Sequence, residues 1–317
     1  MLVIVGPSAS GKSRLAMEAA AAFGGVIVNA DSMQLYRELR ILTARPCTED
    51  EARVPHRLYG TQSAAEACSA AAWRGLALAA IGDAEAAGKL PIVVGGTGLY
   101  IRALLRGLAA VPPIGPEAQT EARELHARLG PGGFHRRLAE RDPAMASRLH
   151  PGDRQRLVRA YAVVAATGKS LVEWQSAEAG APAFDRPYLG LRLDSGRDEL
   201  YARCDARLQQ MMDGGALDEV RDLLALNLNP ELPAMKAIGV RELAGYLRGE
   251  SALDAALTAT RQATRRYVKR QTTWWRHQSE NNFISIKTDN MEFNSVISDK
   301  IVPLIQNRLL TAPLGAV

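Results

Sequence analysis

A four-residue apolar run, Leu2-Val3-Ile4-Val5, leads directly into Gly6-Pro7-Ser8-Ala9-Ser10-Gly11-Lys12-Ser13. No other feature narrows the possible folds as much. A glycine, four residues and then Gly-Lys-Ser, set between a strand and a helix, is the spacing of a phosphate-cradling P-loop. The glycines let backbone N–H groups approach phosphate oxygens, and the helix N-terminus adds partial positive charge. Lys12 supplies a full charge, and the Ser13 hydroxyl is placed to ligate Mg²⁺.

The residues that follow alternate between two periods. Residues 13–23 read as helix and Val26–Val28 as a buried strand closed by Asn29-Ala30-Asp31. Residues 64–87 are rich in alanine and predict a helix. Pro91–Gly96 predicts a third strand, with a helix from Leu99. Strands alternating with helices predict an α/β protein with a doubly wound parallel sheet of the P-loop NTPase type. The pattern then changes. After a linker at Val111–Pro116, residues 117–175 read as helices alone, with turns at Gly130–Gly133 and Pro151-Gly152, and Ala181-Pro182 closes the segment. A strand resumes at Tyr188–Leu193, followed by helices over 197–213, 216–226, 234–247 and 252–276 and a last strand at Phe283–Ile286. The expected organisation is an α/β core, 1–112 and 186–317, with an inserted helical domain, 113–185. Little pattern is legible beyond residue 288.

In a doubly wound sheet, ligands sit beyond the carboxyl ends of the strands. Asp31, Thr97 and the P-loop should therefore share one mouth. P-loop NTPases usually carry a metal-associated acid at the end of a later strand. Here that strand ends in Gly95-Gly96-Thr97, and the acid ends the second strand instead, as Asp31. Its carboxylate is open to three readings: a metal ligand, a general base on an acceptor, or a helix N-cap beside Ser32.

Charge adds a second theme. The chain carries 39 Lys and Arg against 34 Asp and Glu, a formal +5. Residues 261–276 hold Arg261, Arg265, Arg266, Lys269, Arg270 and Arg276 and no acid, with Tyr267, Trp274 and Trp275 interleaved. Arg261, Arg265 and Lys269 follow an i, i+4 ladder. Arg148, Arg154, Arg156 and Arg159 form a second basic cluster. The first cluster reads equally as a solvated face or as a phosphate-contacting surface. Cys47, Cys68 and Cys204 are too scattered for a metal cluster or a disulfide framework. No run approaches the ~18 apolar residues of a membrane span. The five residues before the P-loop are too few for a secretion signal. A cytoplasmic chain without membrane contact is expected, with a monomer as the default.

Four stretches together resemble the tRNA dimethylallyltransferases. They are the P-loop; Asn29–Arg37 with Thr43-Ala44-Arg45-Pro46; Val94–Tyr100; and Ala237–Arg241 with Thr264–Arg276. The resemblance runs in order from residue 1 to about 285. It implies that Gly6, Pro7, Ser8, Ala9, Ser10, Gly11, Lys12 and Ser13 hold the diphosphate of dimethylallyl diphosphate, with Mg²⁺ at Ser13. It implies catalytic roles for Asp31 as general base and for Lys12 and Arg207 as cations on the leaving diphosphate. The acceptor would be N6 of the adenine 3′ of the anticodon in a tRNA stem-loop. The tRNA would meet Asp31, Ser32, Met33, Gln34, Thr97, Gln119, Gln155, Arg156, Leu157, Val158, Arg159, Lys236, Ala237, Ile238, Gly239, Val240 and Arg241. The chain departs from the family pattern at Val240, usually Tyr, at Arg45, usually Lys, and at Gln119, often Arg. Three alternatives stay open: an isopentenyltransferase on free adenine nucleotides, a small-molecule P-loop kinase, and a non-enzymatic RNA adaptor. The kinase leaves the basic C-terminal half unexplained, the nucleotide enzyme needs no extended RNA surface, and the adaptor leaves Asp31 without a use.

Overall fold

The computed structural model of the chain describes residues 1–176, 184–278, 283–288 and 301–310. Its contacts divide into two units, Met1–Leu104 with Arg186–Val317, and Leu105–Asp185. The first contains a six-stranded sheet, every pairing parallel, in the order β3-β2-β4-β1-β5-β6. The strands are β1 (Leu2–Val5), β2 (Gly25–Asn29), β3 (His56–Arg57), β4 (Leu90–Gly95), β5 (Leu189–Asp194) and β6 (Phe283–Lys287).

The central strands are short Val/Ile/Leu runs buried on both faces, as parallel sheets require. Register puts Leu2 beside Ile92 and Leu189, and Ile4 beside Val94 and Leu191. These side chains share one core with Leu15, Ala16 and Ala19 of α1 (Lys12–Phe23) and with Ile301 and Ile305. Ile305 lies on α13 (Val302–Leu310), in the region where the sequence pattern was faint. On β2 and β4 packs α3 (Ala70–Ala86), whose Trp73 is fully buried, stacks on Tyr100 at 4.5 Å and donates from Nε1 to the Asn29 carbonyl at 2.9 Å. Trp73→Ala is expected to cost about 3–5 kcal/mol through lost burial and a residual cavity, read as a lowered urea midpoint at unchanged m-value.

Several boundaries differ from the sequence expectation. The alanine-rich segment becomes helical only at Ala70, because Ser69 Oγ accepts the Ala72 N–H and sets the cap there. Strand β3 went unread; two polar residues at a sheet edge carry no periodicity. In the range 234–247 the chain forms a single 3₁₀ turn, Ala234–Lys236, and then α11 (Val240–Leu247), parted at Gly239. The long helices α9 (Arg197–Asp213), α10 (Ala216–Ala225) and α12 (Leu253–Gln278) follow the expected ranges closely.

The second unit holds α5 (Pro116–Arg141), α6 (Pro143–Ala146), α7 (Arg154–Thr167) and α8 (Leu171–Ser176) around Phe134, Leu138, Leu157 and Tyr161. The expected turn at Gly130–Gly133 is only a kink. Gly130 leaves helical geometry at φ 67°, and Pro131 then starts a helix that continues to Arg141, as proline favours a first helical position. Ala181-Pro182 lies outside the described residues.

Candidate active site

The P-loop leaves β1 and enters α1 through Gly11, which caps the helix at φ 91°, a backbone geometry side-chain-bearing residues seldom adopt. The Lys12 ammonium donates to the Pro7 carbonyl at 2.7 Å, curling its head over the loop. Two cavities open at the strand ends. The larger, about 680 Å³, is lined by the P-loop residues Ser8, Ala9, Gly11, Lys12 and Ser13 and by Arg14, Arg45 and Arg207. Asp31 is the lone acid among its lining residues. The smaller, about 290 Å³, is more apolar, with Met33, Leu42, Leu208, Met211, Ala237 and Ile238 in its wall and Tyr267 and Arg270 at its side. Ser8, Asp31 and Arg207 line both.

The Asp31 loop is braced from beneath. The fully buried Asn29 side chain donates to the carbonyls of Asp31 and Leu58 at 3.0 and 2.9 Å and accepts the Asp31 N–H at 2.8 Å. No helix begins at Asp31, so the N-cap reading is corrected: Oδ1 accepts the Met33 N–H at 3.0 Å, and residues 32–44 run as turns. Gln34 donates to the carbonyls of Thr43 and Ala44 at 2.8 and 3.0 Å, closing that loop on itself. Ser32 N–H reaches Thr97 Oγ1 at 3.0 Å. Asp31 and the P-loop therefore line the same cavities, whereas Thr97 lines neither and is joined to that wall through Ser32.

Burial governs the charges here. It lifts the Asp31 carboxyl above the ordinary carboxylate range, opposed by the Met33 N–H and by Lys12. Desolvation brings Lys12 down to about 8, opposed by Asp31 and assisted by Arg207. Arg207 is also lowered by burial. Two cations and one carboxylate are thus held half out of water, an arrangement that favours an incoming polyanion. No cluster of three or more His, Cys, Asp or Glu able to hold a metal occurs among the described residues.

The expected RNA-facing residues divide sharply. Ser32, Met33, Lys236, Ala237 and Ile238 line the smaller cavity. Gly239, Val240 and Arg241 do not; the Val240 side chain is buried in a core cluster. Leu157 is fully buried in the core of the helical unit, and Val158 packs against that core. The side chains of Leu157 and Val240 therefore serve packing. In the helical unit, Gln155, Arg156 and Arg159 are exposed on α7. Gln119 spends its amide N–H on the Ile114 carbonyl at 2.9 Å. On α12 the ladder is not uniformly available: Arg265 pairs with Asp205 and lies over Tyr201, whereas Arg266, Lys269 and Arg270 are exposed. Sequence reasoning missed Asn29 and Gln271, although both are polar residues standing in the motifs that were singled out.

Residues 34–278 match the family model for IPP transferases. The tRNA dimethylallyltransferase of Rhodospirillum centenum is 55% identical over 278 residues, 88% of either chain. That of Paramagnetospirillum magneticum is 49% identical over 312 residues, 98% of either chain, and so extends over the P-loop and Asp31 as well. Among solved structures, the tRNA isopentenylpyrophosphate transferase of Bacillus halodurans is 30% identical with a TM-score of 0.71, covering 98% of this chain and 96% of that one. A eukaryotic dimethylallyltransferase acting on tRNA is 25% identical with a TM-score of 0.81, covering 98% of this chain and 79% of that one.

Proposed function

The chain belongs to the IPP transferase family, and from that premise we propose how its residues carry out the transfer of a dimethylallyl group to tRNA. The donor is dimethylallyl diphosphate, the acceptor is N6 of the adenine 3′ of the anticodon, and diphosphate is released. The observation that carries this reading is the position of Asp31 on the wall common to both cavities. The cationic cavity takes the diphosphate. The acceptor base, taken out of its stack as such chemistry demands, enters the smaller one past Met33 and Tyr267.

The N6 lone pair forms a bond to C1 of the dimethylallyl group as the C1–O bond breaks. The bonding electrons leave with the diphosphate oxygen. Asp31 takes the N6 proton, and its raised pKa makes it a stronger base than an ordinary carboxylate. Lys12 and Arg207 meet the charge that grows on the leaving oxygen. The Ser13 hydroxyl stands at the first turn of α1 on the cationic cavity. It fits a Mg²⁺ held mainly by diphosphate and water, since that ion keeps several waters and needs few protein ligands. Such an ion would supply charge neutralisation at the diphosphate.

Radiolabelled dimethylallyl diphosphate, offered with unmodified tRNA or with AMP, tests the reading. Label is expected in tRNA, and nuclease digestion should return it on one adenosine next to the anticodon. Label in AMP alone would overturn the proposal. The exposed cations of α12 supply RNA phosphate contacts in this scheme. Affinity for tRNA should then fall with salt at a log–log slope of about −0.7 to −0.9 per phosphate neutralised. Lys269→Ala and Arg266→Ala should each flatten that slope by about one contact; unchanged slopes in both would take α12 out of the interface.

A further inference from the structure

Gln271 lies among the cations of α12, yet it is only 4% exposed and its amide turns toward the strand ends. Oε1 accepts the backbone N–H of Ser8 at 2.9 Å and the Ser8 hydroxyl at 3.2 Å. Nε2 donates to the Gly96 carbonyl at 3.1 Å. One planar group thus ties the P-loop, at the end of β1, to the turn that ends the neighbouring strand β4. The fit is close: a Cβ at position 96 would stand 2.2 Å from the Gln271 amide nitrogen. The connection extends further. Thr97 follows Gly96 directly, and its Oγ1 accepts the Ser32 N–H next to Asp31 at 3.0 Å.

We propose that Gln271 is a positioning residue for the transfer, fixing the P-loop against the Thr97–Asp31 side of the mouth. This rests on the function proposed above. Neither Gln271 nor Gly96 lines either cavity, so the amide acts through Ser8, which lines both. The two ends of the reaction are bound to different loops: diphosphate to the P-loop, acceptor to the Asp31 side. Their relative placement sets the approach of N6 to C1, and misplacement by about 1 Å costs on the order of 10²-fold in rate. An amide is needed because the two loops present opposite demands, an N–H and a hydroxyl on one side and a carbonyl on the other. A carboxylate meets the first demand and repels the carbonyl. A protonated carboxyl group meets both.

The test uses full-length Gln271→Leu and Gln271→Glu beside the wild type. Gln271→Leu should lower kcat/KM for dimethylallyl diphosphate by about 30–100-fold, with the tRNA Kd within about twofold of wild type. Binding of inorganic diphosphate, measured by calorimetry, should weaken by about tenfold, since the Ser8 end of the loop is released. Gln271→Glu should regain activity relative to wild type as pH is lowered from about 8.5 to about 6, because a buried carboxyl group protonates well above its usual range. Taking the ratio to wild type cancels the titration of the groups common to both proteins that face this mouth, Asp31, Lys12, Arg207, Cys204 and Tyr267 among them. A Gln271→Leu protein with wild-type kcat/KM, or a Gln271→Glu deficit that is constant with pH, would overturn the proposal. Failure of the wild type to label tRNA would instead sink the function it rests on, and the calorimetric comparison would still judge Gln271.

Discussion

Replacing Asp31 by Asn should lower kcat for prenyl transfer by about 10²–10⁴-fold, the range that a positioned general base contributes. Asparagine keeps an oxygen for the Met33 N–H at 3.0 Å, so the loop keeps its shape and the loss isolates the proton acceptor. The KM for dimethylallyl diphosphate should change little, because the proposed site assigns the diphosphate to the P-loop and the cations. The pH profile of kcat/KM provides a second signature. As the proposed base, Asp31 would act only when ionised, and burial raises its pKa. Wild-type activity should therefore rise with pH on the acid side, and that limb should disappear in the asparagine variant. Single-turnover kinetics with labelled donor measure both; a variant with wild-type kcat would remove Asp31 from the base role.

The second large effect is expected at Lys12. Lys12→Ala should reduce kcat/KM by about 10²–10³-fold, as loss of one preorganised group at a developing anion does. It should act on KM as well as kcat, since in the proposed mechanism the ammonium meets both bound and leaving diphosphate. Desolvation lowers the Lys12 pKa to about 8 in the free protein. The cationic form is therefore complete well below pH 8 and is lost as pH rises through it. Wild-type KM for the diphosphate donor should climb above about pH 8. Bound diphosphate favours the charged form, so kcat should hold to higher pH than kcat/KM does. If both parameters fall together at the same alkaline pH, Lys12 is not the group responsible.

Much of the fold was legible because two strong signals coincide in the sequence. Short apolar runs closed by glycine or asparagine have few uses except as buried parallel strands, and β1, β2 and β4 all read this way. The spacing of Gly6, Gly11, Lys12 and Ser13 requires a strand before it and a helix after it. Elements whose stability comes from distant partners were harder to read. Strand β3 exists because Ile27 and Val28 present an open edge to His56 and Arg57. Helix α13 is held by insertion of Ile305 into a core built from β1, β5 and α1. Neither carries much local signal, since tertiary burial stabilises both.

The site shows the same division. Residue type and strand-end position determined the P-loop, the placement of Asp31 beside it and the cationic character of α12. These properties follow from spacing and charge, which are local to the chain. Only the tertiary structure decided that Leu157 and Val240 face cores, that Asp205 takes up Arg265, and that Gln271 of α12 braces Ser8 and Gly96. Those outcomes turn on which groups lie opposite one another once the chain has folded, and on the desolvation that makes each buried N–H and carbonyl demand a partner. The P-loop is written in eight consecutive residues, whereas the amide that steadies it comes from a helix 263 residues away.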